Sequence, residues 1–417
     1  MSPTPTTYAP AKQFVGIAVE TSAQGTPAAM TATLLVDSFK PKDSPKFLED
    51  KAWRGAMATD SFAQIPGTQS AELDFGGPVF LDGLGFILRN IMGDLSTTGT
   101  STGTGGTTLS ASAAVGATTI STVATIANGT VIQIGTGATA EVFTTGTPTG
   151  SGPYSIPLTS PTGGLVYAHA SAQAVQPVTG PFTYAWSLLN SGTGQPPSHT
   201  LTHMLGPTAT SGARQYPGAC FSEVGFKWNA ESDLFTWDAK ATSWPSVILG
   251  SPPVSNPGSI APMASWRMSV GIGGPAAGGT LIPTVMDGEI NIKREVNPYF
   301  TGNGVQTPYI IQRAGLTVEG KLSFVADSES PYLYMINNTQ PQLQLSISNG
   351  LAGLAAGSVV FDFAKAAFTE SEPDGSKTAV EYSDNFKAVL NTTNAGGSGS
   401  YSPCKISVTC NVTPGTY

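Results

Sequence analysis

Apolar and polar residues alternate with a period of two along much of the chain. Val224, Phe226 and Trp228 fall on one side of a strand, with Glu223, Gly225 and Lys227 on the other. A turn over residues 229–233 leads to Phe235, Trp237, Ala239 and Ala241, set against Thr236, Asp238, Lys240 and Thr242. These positions predict a β-hairpin with one apolar and one wet face. Leu316, Val318, Gly320, Leu322 and Phe324, against Thr317, Glu319, Lys321 and Ser323, repeat the pattern. So do residues 266–272, 343–347, 359–363 and 406–412. One-sided alternation belongs to antiparallel sheets, not to a buried parallel sheet. Two helices interrupt the strands. Phe80, Leu84, Ile87, Leu88 and Ile91 recur at helical spacing behind Pro78. A shorter helix opens on Ser330 as cap, with Pro331 behind it, and runs to Ile336. The expected fold class is mainly β, an antiparallel sandwich or barrel-forming sheet with one or two helices.

Charge divides the chain. It has 417 residues, 19 basic and 27 acidic, for a net charge of −8. That balance argues against sequence-independent gripping of nucleic-acid phosphates. Between Leu95 and Ala213 the only formally charged residue is Glu141. So sharp a break marks a domain or an insertion. Residues 96–106, rich in Ser, Thr and Gly, read as a flexible linker. The segment 107–178 carries short strand patterns separated by turns such as Asn128-Gly129, which predicts a small all-β domain. It would interrupt a larger domain made of residues 1–100 and 179–417. No apolar run is long enough for a membrane helix, and the N-terminus lacks the apolar stretch of a Sec-type leader. Three cysteines, Cys220, Cys404 and Cys410, are too few for a disulfide framework and read as reduced thiols.

Chemistry-bearing patterns are sparse. His199 and His203 sit four apart, yet Thr-Leu-Thr between them reads as strand and the H-E-x-x-H glutamate is missing, so a polar strand face is expected. His169 is expected to be structural or on the surface. Cys410 points with Ile406 and Val408, as a core thiol does. Glycine runs such as residues 271–274 precede no Lys-Ser/Thr and no helix, so they are loops and not phosphate cradles. Glu370, Glu372 and Asp374 read as a solvated turn. No cofactor or metal is expected, and the chain reads as a structural or assembly protein, not an enzyme.

The order of segments resembles the major tail tube proteins of long-tailed bacteriophages. The carriers are residues 16–28, with Glu20-Thr21 and Gly25-Thr26-Pro27; residues 47–60, with Trp53-Arg54-Gly55; residues 214–220 running into the 221–228 strand; and the 316–324 strand followed by the 330–336 helix. The segment 107–178 resembles small β domains inserted in phage tail and baseplate proteins, through residues 116–120, Glu141-Val142, residues 152–154 and 168–170. The resemblance implies stacked hexameric rings whose inner sheets close into a barrel through which DNA passes without specific binding. It also implies tape-measure, tail-terminator and baseplate proteins as partners beside the chain itself. Assembly in the host cytoplasm and a place in the virion tail follow from it, with no membrane contact. Glu223, Lys227, Asp238, Lys240, Glu319 and Lys321 are the candidate lumen lining, and a net-acidic lumen would repel phosphate. A long loop over residues 40–60 is the candidate inter-ring arm, with Lys40, Lys42, Lys51 and Arg54 supplying charge and Phe47 and Trp53 as apolar anchors. The insert is expected on the tube exterior. There Tyr154 and Tyr167 are candidates for weak carbohydrate contact. The alternative is a β-rich surface adhesin or virion decoration protein that binds carbohydrate.

Overall fold

The computed structural model describes residues 10–55, 57, 61–206, 212–231, 233–251, 253–258, 260–376 and 378–417. Residues 1–9, on which the leader reading rests, and residues 56 and 58–60 of the expected arm lie outside these. Two antiparallel sheets carry the molecule. Strands β1 (Phe14–Val19), β2 (Ala32–Leu34), β3 (Ser38–Asp50) and β4 (Ala63–Pro78) precede helix α1 (Leu81–Ile91) and β5 (Gly93–Ser101). Five short strands follow: β6 (Thr107–Thr108), β7 (Thr119–Thr122), β8 (Val131–Ile134), β9 (Glu141–Thr145) and β10 (Tyr154–Ser160). Next come β11 (Ala174–Leu188), β12 (His199–Met204), β13 (Ala213–Asn229), β14 (Thr236–Ser243), β15 (Val247–Ile248) and β16 (Ser269–Ile272). The chain then runs through β17 (Val285–Tyr299), β18 (Ile310–Val325), α2 (Ser330–Ile336), β19 (Leu343–Ser348), β20 (Ser358–Phe363), β21 (Ala366–Asp374), β22 (Glu381–Ala388) and β23 (Lys405–Cys410).

The first sheet holds an unbroken antiparallel run in the order β3-β4-β14-β13-β17-β18-β22-β21. The run consists of one strand order stated twice. A hairpin, a helix and a second hairpin give β3-β4-β14-β13; the same sequence of elements then gives β17-β18-β22-β21. The N-terminal half of β13 leaves this run to pair with β12, which carries β1 and β2. The second sheet strings β16-β19-β20-β23-β11, with β5 also on β11. The alternation predicted for β13, β14, β18, β19, β20 and β23 is present, and each buries its apolar side between the sheets. Phe226 of the first sheet meets Phe361 of the second at 5.0 Å between ring centroids. Each such fully buried side chain contributes about 1.5–3 kcal/mol.

Six expectations need correction. Glu370, Glu372 and Asp374 are not a turn but part of strand β21, paired with β22. Residues 40–60 are not a loop: β3 fills most of the span, paired along β4 from Ser38↔Gly76 to Asp50↔Ala63. Pro41, Pro45 and three lysines hide its alternation, and proline is tolerated there because β3 is an edge strand. Residues 96–101 are not a linker but part of β5, which pairs with β11 from Leu188↔Gly93 to Val178↔Ser101. Threonine is β-branched and suits a pleated surface, so a Thr-rich run makes a strand once it has a partner. Pro78 ends β4 instead of opening α1. Residues 265–267 form a 3-10 turn before β16, so the strand starts at Ser269. Finally, His199 and His203 do not form a polar face. β12 is central, covered on both sides, and both rings are buried.

A second, smaller core lies under β7–β10 and the start of β11. It is built from Leu109, Ile120, Ile132, Ile134, Phe143, Ile156 and Val175, among others. Strand β11 belongs to both regions: Val175↔Ile134 pairs it with β8, and Phe182↔Cys410 with β23. Glu141 is buried here. It accepts hydrogen bonds from the backbone N–H of Val166 (2.7 Å) and Tyr167 (3.1 Å), and pairs with His169 Nε2 at 2.9 Å. A lone charge in a nearly uncharged segment thus ties the loop that follows β10 to the start of β9.

Candidate functional site

In the eight-strand run, odd and even positions separate cleanly into a buried and a wet side. The wet side carries Lys40 and Lys42 on β3, Glu72 and Asp74 on β4, Asp238 and Lys240 on β14, and Glu223 and Lys227 on β13. It continues with Glu289 and Lys293 on β17, Glu319 and Lys321 on β18, Lys387 on β22, and Glu370 and Glu372 on β21. All six residues expected to line a lumen therefore share one face. Lys40 and Lys42, expected in the arm, lie on that face too, opposite Asp74 and Glu72.

The charges on this face are matched across strands. Lys240 Nζ donates to Glu223 Oε2 at 2.8 Å, and Lys293 Nζ lies 3.7 Å from Glu223 Oε1. Lys227 stands 3.6 Å from Asp238, Lys387 3.8 Å from Glu319, and Lys42 3.8 Å from Glu72. The hydrogen bond from Lys240 holds the Glu223 carboxyl below its ordinary pKa, and the same bond raises that of Lys240. Exposed pairs of this kind add little stability, on the order of 0.2–1 kcal/mol each. Their larger effect is on the field of the surface, since each pair cancels much of its own charge.

Strand β4 pairs with β14 only from Ala71 onward. Residues 45–50 and 63–70 therefore form a two-stranded ribbon that runs past the sheet, held at one point where Gln69 N–H donates to Gln306 O at 2.8 Å. Phe47, Leu48, Phe62 and Ile65 are exposed on it, and Trp53 is fully exposed beyond its end. Arg54 lies over the Phe62 ring at 4.7 Å and pairs with Asp50, while Lys51 pairs with Glu49 at 2.6 Å. A two-stranded ribbon is marginal in water by itself, so apolar side chains displayed along one call for a covering surface.

Glu20 of the N-terminal motif acts at depth. The buried Glu20 carboxylate accepts from Gly25 N–H (3.0 Å), Gly218 N–H (2.6 Å), Ser198 Oγ (2.5 Å) and Thr200 Oγ1 (2.8 Å). Gly25 and Gly218 both hold positive φ, and a Cβ on either would meet the Trp244 ring at 2.7 and 2.1 Å. This explains the glycines without any ligand. Arg294 and Arg313 are buried nearby and bind main-chain carbonyls, Arg294 at Ile91 O (3.0 Å) and Arg313 at Pro196 O (2.6 Å). Burial and the neighbouring Arg313 bring Arg294 down to about 10. His199 Nδ1 accepts from Asn90 Nδ2 at 2.7 Å, and burial holds the ring well below its usual pKa. No run of titratable residues in the sequence signals this cluster.

The aromatics of the carbohydrate reading are not displayed. Tyr167 is buried, its hydroxyl bonded to Asp94 and to Leu95 O, and Tyr154 is half-buried against the smaller core. Among the described residues, no three His, Cys, Asp or Glu side chains cluster as a metal site would need, and no helix is long and apolar enough to cross a membrane.

No curated protein matches the chain. The family model described as phage tail tube protein matches residues 124–388, which span both halves of the eight-strand run from β13 onward and much of the smaller core. Built on two antiparallel sheets and matched over more than half its length, the chain belongs to the phage tail tube protein family.

Proposed function

We propose that copies of this chain close side by side into rings, six-fold as the resemblance implies, and that the rings stack into the tail tube. The wet face of the eight-strand run lines the bore. The observation that carries this reading is that face itself: one continuous polar surface on an open sheet, with its charges matched across strands. Closure of such sheets around a ring removes their free edges, which are otherwise an aggregation hazard. A lining of matched charges, with acids in slight excess, gives passing phosphates little to hold. The β3–β4 ribbon, with Phe47, Lys51, Trp53 and Arg54, reaches the next ring. The smaller β region projects outward. Tape-measure and terminator proteins meet the tube at its ends, and the finished tail carries DNA into the host.

Electron microscopy of the purified, tag-free protein, at a resolution that separates strands, tests the reading. Stacked rings with Glu223, Asp238 and Glu319 on the bore are expected. A chain that stays monomeric at every concentration, or a tube with this face turned outward, overturns it.

A further inference from the structure

The two halves of the eight-strand run repeat in register, residue for residue. The β3–β4 hairpin has a bulge between Pro45 and Phe47, and the β17–β18 hairpin has one between Arg294 and Val296; each skips one residue on the first strand and two on the second. The β13–β14 pair has a bulge between Phe221 and Glu223, and the β21–β22 pair has one between Phe368 and Glu370. The residues at that last bulge are Phe221-Ser222-Glu223 and Phe368-Thr369-Glu370. Aligning the bulges sets Asp74↔Lys240↔Glu223 over Lys321↔Asn385↔Glu370, with every intervening pair in step. The sheet is one four-stranded unit built twice, and the β13·β17 junction is where the first unit meets the second.

We infer that the same junction recurs between chains: β21 of one copy pairs antiparallel with β3 of the next, in the register of β13 on β17. This rests on the ring reading above, and it names the surface that closes the ring. Inside the chain, Glu223 faces Lys293, Gly225 faces Asn291 and Lys227 faces Glu289. Carried over by the bulge alignment, Glu370 faces Ser44, Glu372 faces Lys42 and Asp374 faces Lys40 of the next copy. One edge is thus basic where the other is acidic. Eight strands is an even number, so the alternation of strand direction continues unbroken across the seam. Packing agrees as well. Inside the chain, Trp228 covers Gly288, where a Cβ would sit 2.4 Å from the indole. At the seam the sizes are exchanged: Gly375, with open space beside it, falls opposite Phe39. Pro41 and Pro373 share one rung and neither donates, which keeps each free edge from indiscriminate pairing and leaves the charged pairs to choose the partner. Each chain then contributes two units to the ring.

Lys42→Cys with Glu372→Cys tests the seam. Within one chain these residues lie seven strand spacings apart, roughly 34 Å, so no internal disulfide forms. Assembled tubes treated with mild oxidant are expected to give a ladder of covalent multimers. Lys40→Cys with Glu370→Cys, four residues out of register, is expected to give none. Charge reversal supplies the second arm: Lys42→Glu lowers the assembled fraction by about tenfold, and adding Glu372→Lys restores it. Tubes that form without a ladder, an equal ladder from the out-of-register pair, or no rescue by the swap overturn the seam and leave the tube standing. A wild-type chain that never assembles overturns the tube reading and the seam with it.

Discussion

Where the first unit of the long sheet sets Leu73 against Ala241, the second sets Gly320 against Phe386. A Cβ on Gly320 would lie 2.5 Å from the Phe386 ring. The pair keeps its summed volume and exchanges which strand supplies it, the kind of change a packed core tolerates best. Trp228 over Gly288 keeps to the same rule at the junction. The two units thus share register and bulk although their sequences differ. What differs is attached outside the shared rungs. The first unit has a longer connection at its ribbon tip, residues 51–62 against 300–309, an eleven-residue buried helix and, between β5 and β11, the whole smaller β region. The second has a seven-residue helix with Tyr332, Leu333 and Ile336 exposed, and a short connection between β19 and β20. The shared rungs are common scaffold, and the attachments are where individual function resides.

The largest expected effect comes from the ribbons. Replacing residues 47–65 by a two-residue Asn-Gly turn leaves Ser38–Pro45 on the sheet and removes the exposed Phe47, Leu48, Trp53 and Ile65. Rings without stacked tubes are expected by electron microscopy. Shortening the equivalent tip of the second unit, residues 301–308, is expected to leave stacking in place. Equal loss from both would show that the two ribbons do the same job and break the comparison.

Next in size is the anchor that only the first unit has. Glu20→Ala strands two backbone N–H groups and two hydroxyls in a buried setting. A loss of about 3–5 kcal/mol is expected from denaturant unfolding, since each orphaned buried group costs about 1–3 kcal/mol and neighbours relax. A loss below about 1 kcal/mol would mean that water reaches these groups and that the motif has another purpose.

The sequence showed the strands that have one wet side, because alternation needs a wet side to be visible. β13, β14 and β18 were legible for that reason, and with them the six charges on their polar face. β12 was not, since a strand covered on both faces keeps no contrast and hid two histidines. β3 hides because prolines and lysines on an edge resemble a loop, which puts Lys40 and Lys42 in an arm by sequence and on the sheet in the fold. β5 looked like a linker because a Thr-Gly run acquires strand character only from its partner β11. Glu20 gave no sign of its role, because its four donors come from segments up to 198 residues away. The doubled unit left only Phe-Ser-Glu and Phe-Thr-Glu at matching bulges, too little to stand out without the register.

The smallest effect follows from one rung on which the units disagree in chemistry. The position of Ala239, packed against Phe75, is occupied in the second unit by Asp384 against Leu322. Asp384 is fully buried and neither carboxylate oxygen has a hydrogen-bond partner. Burial raises its pKa from 3.8 to about 6. The fold therefore favours the protonated acid. Well below pH 3.8 the group is neutral in folded and unfolded chains alike and adds no ionisation cost. As pH rises from 4 to 6 the unfolded chain ionises first, stability falls, and above pH 6 the loss is complete, on the order of 3 kcal/mol. Asp384→Ala copies the first unit. After allowing for lost contacts, it is expected to stabilise the chain by about 2 kcal/mol at pH 8 and to show little gain at pH 4, by thermal unfolding at both. A gain independent of pH would assign the effect to packing. A loss at pH 8 would mean that the carboxylate has a partner in the assembled ring, and the two units would then differ at this rung by function and not by drift.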